Sequence, residues 1–343
     1  MIKMANGAQL RRLVTEWELL VTTLQAPHGA DDEALPNRVG VTILTGFLGS
    51  GKTTLLRHLL QDGHGLKLAA VVNDVGAVNI DAALIGTAAG GVTKLTNGCS
   101  CCALGAELGR TIHGLATQRA PPDGIIIEAS GIADPVGMAT IVATQGRARL
   151  DGVVAMVDAT ALDSWLDNPA TQSLFQRQLD AAHLLVLNKA DLASAGMIAG
   201  ATARLGALAP GRPVIETVQG RLDADVALGA ALRGARTAPP DQPHDSSAFA
   251  TRTIALSRPI DRQDLVAFLE NSPTGLLRVK GFVELRGEPG RVHMVQAVGR
   301  MWSIEPLRET PPATQPANGL VLIGLSAPAG LWLQTWAQTG GYL

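Results

Sequence analysis

The chain has 343 residues, 46% of them hydrophobic and 17% charged, with a formal net charge of −2. That length accommodates two domains of ordinary size, and the near-neutral charge excludes a nucleic-acid or anionic-membrane partner held by bulk electrostatics. No apolar run reaches the ~18 residues of a membrane span. Glu16 and Glu18 interrupt what would have to be a secretory leader, and all three cysteines fall between Cys99 and Cys102, so a scattered disulfide framework is excluded and a globular, cytoplasmic protein is expected.

In residues 1–39, Leu10, Leu13, Val14, Trp17, Leu20, Val21 and Leu24 recur at helical spacing, predicting one amphipathic helix that packs on the domain after it, with a partner-binding helix as the alternative. Pro27 to Asn37 reads as a linker. From residue 40 to about 220, short apolar runs alternate with helical patterns, which predicts a doubly wound, mainly parallel α/β sheet. Expected strands are 41–45, 68–73, 92–95, 124–128, 152–158, 183–187 and 213–216. Right-handed crossovers would gather the loops after these strands on one edge, where ligands bind.

The first such loop, Gly46-Phe47-Leu48-Gly49-Ser50-Gly51-Lys52-Thr53-Thr54, carries the spacing G-x-x-x-x-G-K-T between a strand and a helix. Its glycines let backbone N–H groups wrap a triphosphate at a helix N-terminus. Lys52 would reach the β/γ-phosphates and the Thr53 hydroxyl would hold Mg²⁺. After the second strand, Asp74 could orient Mg²⁺ or the attacking water; an ordinary turn aspartate is the equal alternative. Asn97-Gly98-Cys99-Ser100-Cys101-Cys102 opens a helical pattern at 103–117, so the thiols lie near a helix N-terminus, where thiolates are stabilised. Three sulfurs so close can converge on a soft or borderline ion such as Zn²⁺, Co²⁺ or Cu⁺, with Glu107 and His113 as nearby candidates for a fourth ligand; small apolar filler is the alternative.

Ile125-Ile126-Ile127-Glu128-Ala129-Ser130-Gly131 is a buried strand ending in a carboxylate. Glu128 would hold Mg²⁺ through water, the Gly131 N–H would meet the γ-phosphate, and Ile132-Ala133-Asp134-Pro135 becomes a switch candidate. Leu184-Leu185-Val186-Leu187 leads into Asn188-Lys189-Ala190-Asp191, where the Asp191 carboxylate can accept from the N1–H and amine of guanine, selecting GTP over ATP. Asn188 would brace the loop and the Lys189 stem would lie against the base. Residues 234–250, rich in Pro, Ser and Ala, read as an interdomain linker. Beyond it come a strand (251–257), a helix (261–271), strands at 276–285 and 291–299, a proline-rich loop (306–318), a strand (319–325) and a helix (327–337), which predicts a small α+β, ferredoxin-like domain.

Together these motifs resemble the CobW family of P-loop GTPases, relatives of the GTPases that mature urease and hydrogenase. The likeness covers about 40–340 and adds Arg278-Val279-Lys280-Gly281 to the motifs above. It implies a P-loop GTPase domain at 40–233, a CobW-type domain at 251–343, and GTP hydrolysis coupled to holding and handing over Zn²⁺ or Co²⁺. It further implies that Cys99, Cys101 and Cys102 supply metal ligands beside the switch loops, so that nucleotide state and metal affinity are linked. The implied partner is a client metalloenzyme, with a nucleotide- or metal-dependent homodimer as a further expectation. The chain departs from the family in three places: Asn73-Asp74-Val75-Gly76-Ala77 replaces an acidic N-E-F-G-E-type segment, the linker has only His244 in place of a His-rich tract, and the N-terminal helix is extra. No arginine finger is assignable, which predicts slow intrinsic hydrolysis. A small-molecule kinase and a non-catalytic, nucleotide-dependent metal sensor are the competing readings. The N-K-A-D motif and the lack of a substrate lid count against the kinase.

Overall fold

The computed structural model describes residues 38–61, 66–72, 92–94, 101–228, 249–272, 275–298, 301–307 and 318–325. Asp74, Cys99, the N-terminal helix, residues 234–248 of the expected linker and the C-terminal helix lie outside the described residues, and the last two linker positions, Phe249 and Ala250, already belong to a strand.

Seven strands form one sheet: β1 Val39–Thr45, β2 Leu68–Val72, β3 Val92–Lys94, β4 Gly124–Glu128, β5 Ala148–Asp158, β6 Leu184–Asn188 and β7 Val214–Glu216. Their order is β3-β2-β4-β1-β5-β6-β7, every pairing is parallel, and β1 lies at the centre. Strands buried on both faces read as continuous apolar runs, and β1, β2, β4 and β6 do so. The helices are α1 Lys52–Gln61, α2 Cys101–Ala116, α3 Pro135–Ala143, α4 Leu162–Asp167, α5 Pro169–Ala181, α6 Ala195–Leu208 and α7 Ala224–Leu228. One core joins Leu108 and Ile112 of α2 and Met138, Ala139 and Val142 of α3 to β1, β4 and β5. A second places Leu55, Leu56 and Leu59 of α1 against β2, β5 and β6.

All seven expected strands are present. The expected 152–158 begins at Ala148 instead, because Arg149 and Asp151, which break the apolar pattern, are buried in a charged cluster completed by the other end of the chain.

The second sheet comprises β8 Phe249–Ala255, β9 Leu276–Glu284, β10 Val292–Val298, β11 Met301–Pro306 and β12 Gly319–Leu325, in the order β11-β10-β9-β12-β8. Helix α8, Arg262–Glu270, lies between β8 and β9 in sequence; these two strands are each antiparallel to β12 and therefore parallel to one another, a split β-α-β unit. Strand β11 was not expected: β10 and β11 pair from Val298↔Met301 outward, so the chain reverses where a single strand to 299 was read. Leu265, Phe268 and Leu269 of α8 fill the core over one face of this sheet.

The opposite face meets the first sheet. Leu277 and Ile323 join the core of α1 and β6, and Met301 joins the core of β1 and β5. At the centre, Asp151 accepts from Gln296 Nε2 (2.7 Å) and pairs with Arg149 (3.1 Å) and Lys280 (3.1 Å). Arg278 donates to the Val226 carbonyl (2.6 Å) and Lys280 to that of Leu228 (3.1 Å), both in the last turn of α7, where cations are favoured. Burial disfavours the charged Asp151 carboxylate, yet Lys280, Arg149 and Arg278, with the Gln296 hydrogen bond, outweigh it and hold the group well below the usual carboxylate range.

Candidate functional site

The phosphate loop hangs between the end of β1 and the start of α1. Gly46, Gly49 and Gly51 have φ of 129°, 77° and 104°, a region that L side chains avoid. Close approach adds a second constraint. A Cβ at Gly46 would lie 2.2 Å from the Met156 carbonyl oxygen, and one at Gly51 would lie 2.2 Å from Asn188 Nδ2. The loop is further fixed by Ser50, whose buried Oγ donates to the Phe47 carbonyl at 2.8 Å. Lys52 is buried and donates to the carbonyls of Gly46 (2.8 Å) and Phe47 (3.0 Å), so its ammonium lies across the mouth of the loop. Thr54 follows in the first turn of α1.

Thr53 Oγ1 donates to Glu128 Oε1 at 2.6 Å. The two residues expected to flank Mg²⁺ are thus in contact, and a hydroxyl beside a carboxylate is the hard oxygen donor set that Mg²⁺ takes. Gly131, three residues on, is packed tightly against the phosphate loop: a Cβ there would lie 2.6 Å from the Leu48 backbone nitrogen. Asp134, the last expected switch residue before Pro135, caps α3 by accepting from the Val136 N–H (3.0 Å). Gln178, which no sequence motif marks, is fully buried on α5 and donates its amide to the carbonyls of Gly131 (3.2 Å) and Ala133 (3.3 Å), tying the loop down.

At the far end of β6, Asn188 braces two loops at once. Its Nδ2 donates to the Ser50 carbonyl (2.9 Å), and its Oδ1 accepts from the Gly220 N–H (2.8 Å) and Thr217 Oγ1 (3.2 Å). The next residue, Lys189, adopts φ 63°, and its ammonium pairs with Asp158 at 2.6 Å. Burial pushes the Asp158 carboxyl up, but hydrogen bonds from Lys189 and Thr160 and the Lys189 charge bring it below its ordinary value. Asp191 sits exposed on a 3₁₀ turn, Ala190–Leu192, with its carboxylate presented to solvent.

Asp158 and the loop 217–220 were not expected as site residues. Asp158 was legible as the carboxylate that ends a buried strand, as Glu128 does. The loop carries no such mark beyond Gln219 and Gly220, both at positive φ.

Cys101 and Cys102 occupy the first two positions of α2, which follows β3, two strands from β4 in the sheet order. The start of α2 therefore lies on the same carboxyl edge of the sheet as the phosphate loop and Glu128. Helix geometry excludes one expected ligand: eleven residues separate His113 from Cys102, about 17 Å along the axis, far beyond a ~2 Å Zn–N bond. Among the described residues no group of three or more His, Cys, Asp or Glu side chains is placed to hold a metal, and no helix is long and apolar enough to cross a membrane.

Two family profiles match this chain: "CobW/HypB/UreG, nucleotide-binding domain" over residues 40–216 and "Cobalamin synthesis protein cobW C-terminal domain" over 249–337. The zinc chaperone YjiA of Escherichia coli is 33% identical over 315 residues, which cover 85% of this chain and 96% of that protein. A zinc chaperone CobW from a Sinorhizobium species is 29% identical over 321 residues, covering 81% of this chain and 88% of that one. Among solved structures, Zn(II)-bound YjiA GTPase from E. coli aligns over 88% of this chain and 99% of its own, with 26% identity and a TM-score of 0.43.

Proposed function

Since the chain belongs to the CobW/HypB/UreG family of nucleotide-binding proteins, we propose that it is a GTP-hydrolysing metallochaperone that binds a transition metal at Cys99, Cys101 and Cys102 and passes it to a client metalloprotein under control of the nucleotide. The observation that carries this reading is the meeting of three features on one sheet edge: the Thr53–Glu128 pair, the Asn188 brace and the start of α2. The names of the curated relatives, zinc chaperones among them, favour Zn²⁺ as cargo, and Co²⁺ shares the thiolate chemistry.

In this mechanism Lys52 leaves the loop carbonyls for the β/γ-phosphates. Asp191 accepts from guanine while Asp158 holds the Lys189 stem along the base. Thr53, and Glu128 through water, would hold Mg²⁺, which would neutralise phosphate charge when bound. The Gly131 N–H contacts the γ-phosphate, and Asp74 orients the attacking water. Departure of the γ-phosphate frees the Gly131–Asp134 loop, which leads directly into α3, the neighbour of α2 in the shared core. The thiols at the start of α2 then loosen their hold on the metal. Exposed Leu48 and Ile132, beside Gly131, provide an apolar surface for the client or for a second copy of the chain.

The test is a titration of Zn²⁺ and Co²⁺ into apo protein with GTP·Mg²⁺, with GDP·Mg²⁺ and with neither, alongside measurement of GTP hydrolysis. Metal binding much tighter with GTP than with GDP, and lost in Cys101→Ala, Cys102→Ala, is the expected result. Equal affinity in all three states would overturn the coupling, and absence of GTP hydrolysis would overturn the enzymatic reading.

A further inference from the structure

Residues 1–39 lie outside both family profiles, and nothing in the nucleotide site calls for them. Elsewhere on the nucleotide domain, a groove of about 470 Å³ runs between α2 and α3. Gly105, Ala106, Gly109 and Ile141 give it a floor of small and apolar groups, and exposed Arg110 and His113 line it beside them. The two helices draw together here because α2 lacks side chains: a Cβ at Gly105 would lie 3.3 Å from Ile141 Cδ1. Such a floor is apolar and shallow, suited to the large side chains of another helix.

We propose that residues 10–24 fold as an amphipathic helix and seat their apolar stripe in this groove of the same chain. Three observations select this occupant. The first is where the chain enters. The Val39 N–H donates to the Arg147 carbonyl and Arg38 Nε to that of Gly146, adjacent to Gln145 at the end of the groove. Residues 25–37 thus form a leash of thirteen residues, able to span about 43 Å at full extension, anchored at the groove's own end. The second is pattern: Leu13, Trp17 and Leu20 repeat at i, i+4 and i+7, the spacing with which one helix fills a groove on another. The third is charge. The leash carries Asp31, Asp32 and Glu33, and the groove is flanked by exposed Arg110 and Arg147. A helix seated there would touch α2 at Ala106, about 6 Å along the axis from Cys102. It would brace the turn that carries two of the three thiols.

The full-length chain, with benzoylphenylalanine in place of Trp17, is irradiated and its cross-links are mapped, and hydrogen exchange is followed over residues 10–24 of the unmodified protein. Expected are cross-links within one chain to 105–113 or 141–145, and exchange slowed about 100-fold relative to an unstructured segment. Ala106 is exposed, so Ala106→Glu blocks the groove without disturbing the core and should abolish both signals. Trp17→Asp is an independent probe: exchange at 105–110 should rise while the β4 amides stay protected. Cross-links to a second copy or to another face, an unprotected 10–24 segment, or protection unchanged in both variants would each overturn the proposal.

Discussion

Asn188 commits both ends of its amide to the protein, donating to Ser50 and accepting from Gly220 and Thr217. Asn188→Ala leaves a buried carbonyl and an N–H without their partner, a cost of about 1–3 kcal/mol. GDP affinity is therefore expected to fall about tenfold or more, read with a fluorescent GDP analogue; unchanged affinity would rule out the brace. His183 makes a different prediction. It is buried, and its Nδ1 accepts from the Val153 N–H at 2.9 Å. Burial above all, then the charges of Arg212 and Arg278, push it down to about 3. In the unfolded chain it titrates near 6.5, so as pH falls the unfolded state takes up the proton first. The His183 contribution is complete above about pH 6.5 and is lost progressively down to about pH 3, a loss on the order of 1 kcal/mol by pH 5.5. His183→Gln, which keeps an acceptor for Val153, should narrow the difference in Tm between about pH 7.5 and 5.5. An identical difference in the variant would exclude His183 as its source.

Among the elements, those with a local cause were legible. Asp261 N-caps α8, its side chain accepting from Gln263 N–H at 2.9 Å, at the position where the helix 261–271 was expected to begin. Asp261→Ala should cost about 1 kcal/mol, lowering Tm by a few degrees, with GTP binding unchanged; an unaltered Tm would mean that the cap is not holding the helix. The phosphate loop, Glu128 and Asn188–Asp191 were legible for the same reason, since each motif is complete within one strand and its following turn. Gln178 was not, because a glutamine on a helix shows no sign in sequence that two carbonyls from residues 131 and 133 lie within reach of it. The start of β5 was missed for a related reason. Arg149 and Asp151 look like a loop preceding an apolar run until Lys280 and Gln296 arrive from more than a hundred residues away to satisfy them.

At the scale of the molecule, the Arg278-Val279-Lys280-Gly281 run, recognised only by resemblance, acquires a physical reading. Arg278 and Lys280 point from one face of β9 into the seam between the sheets, and Val279 points into the core beneath α8. Gly281 admits β12, since a Cβ there would lie 2.1 Å from the Gly319 carbonyl oxygen. Asp151→Asn removes the charge that balances three buried cations. It is expected to destabilise the protein by about 3–5 kcal/mol, measured by denaturant unfolding. Adding Lys280→Met to that variant should recover part of the loss, and strict additivity of the two changes would contradict a shared cluster. The same seam limits how the protein can be taken apart. The linker at 234–250 looks like a natural place to cut, yet a fragment ending there would lay Arg149, Asp151 and the last carbonyls of α7 open to water and strip Leu277 and Ile323 from the core around α1. Dissected at its linker, the chain would yield one half with an unsealed floor and another with an apolar sheet face bare, and neither would behave as the module that its sequence boundaries suggest.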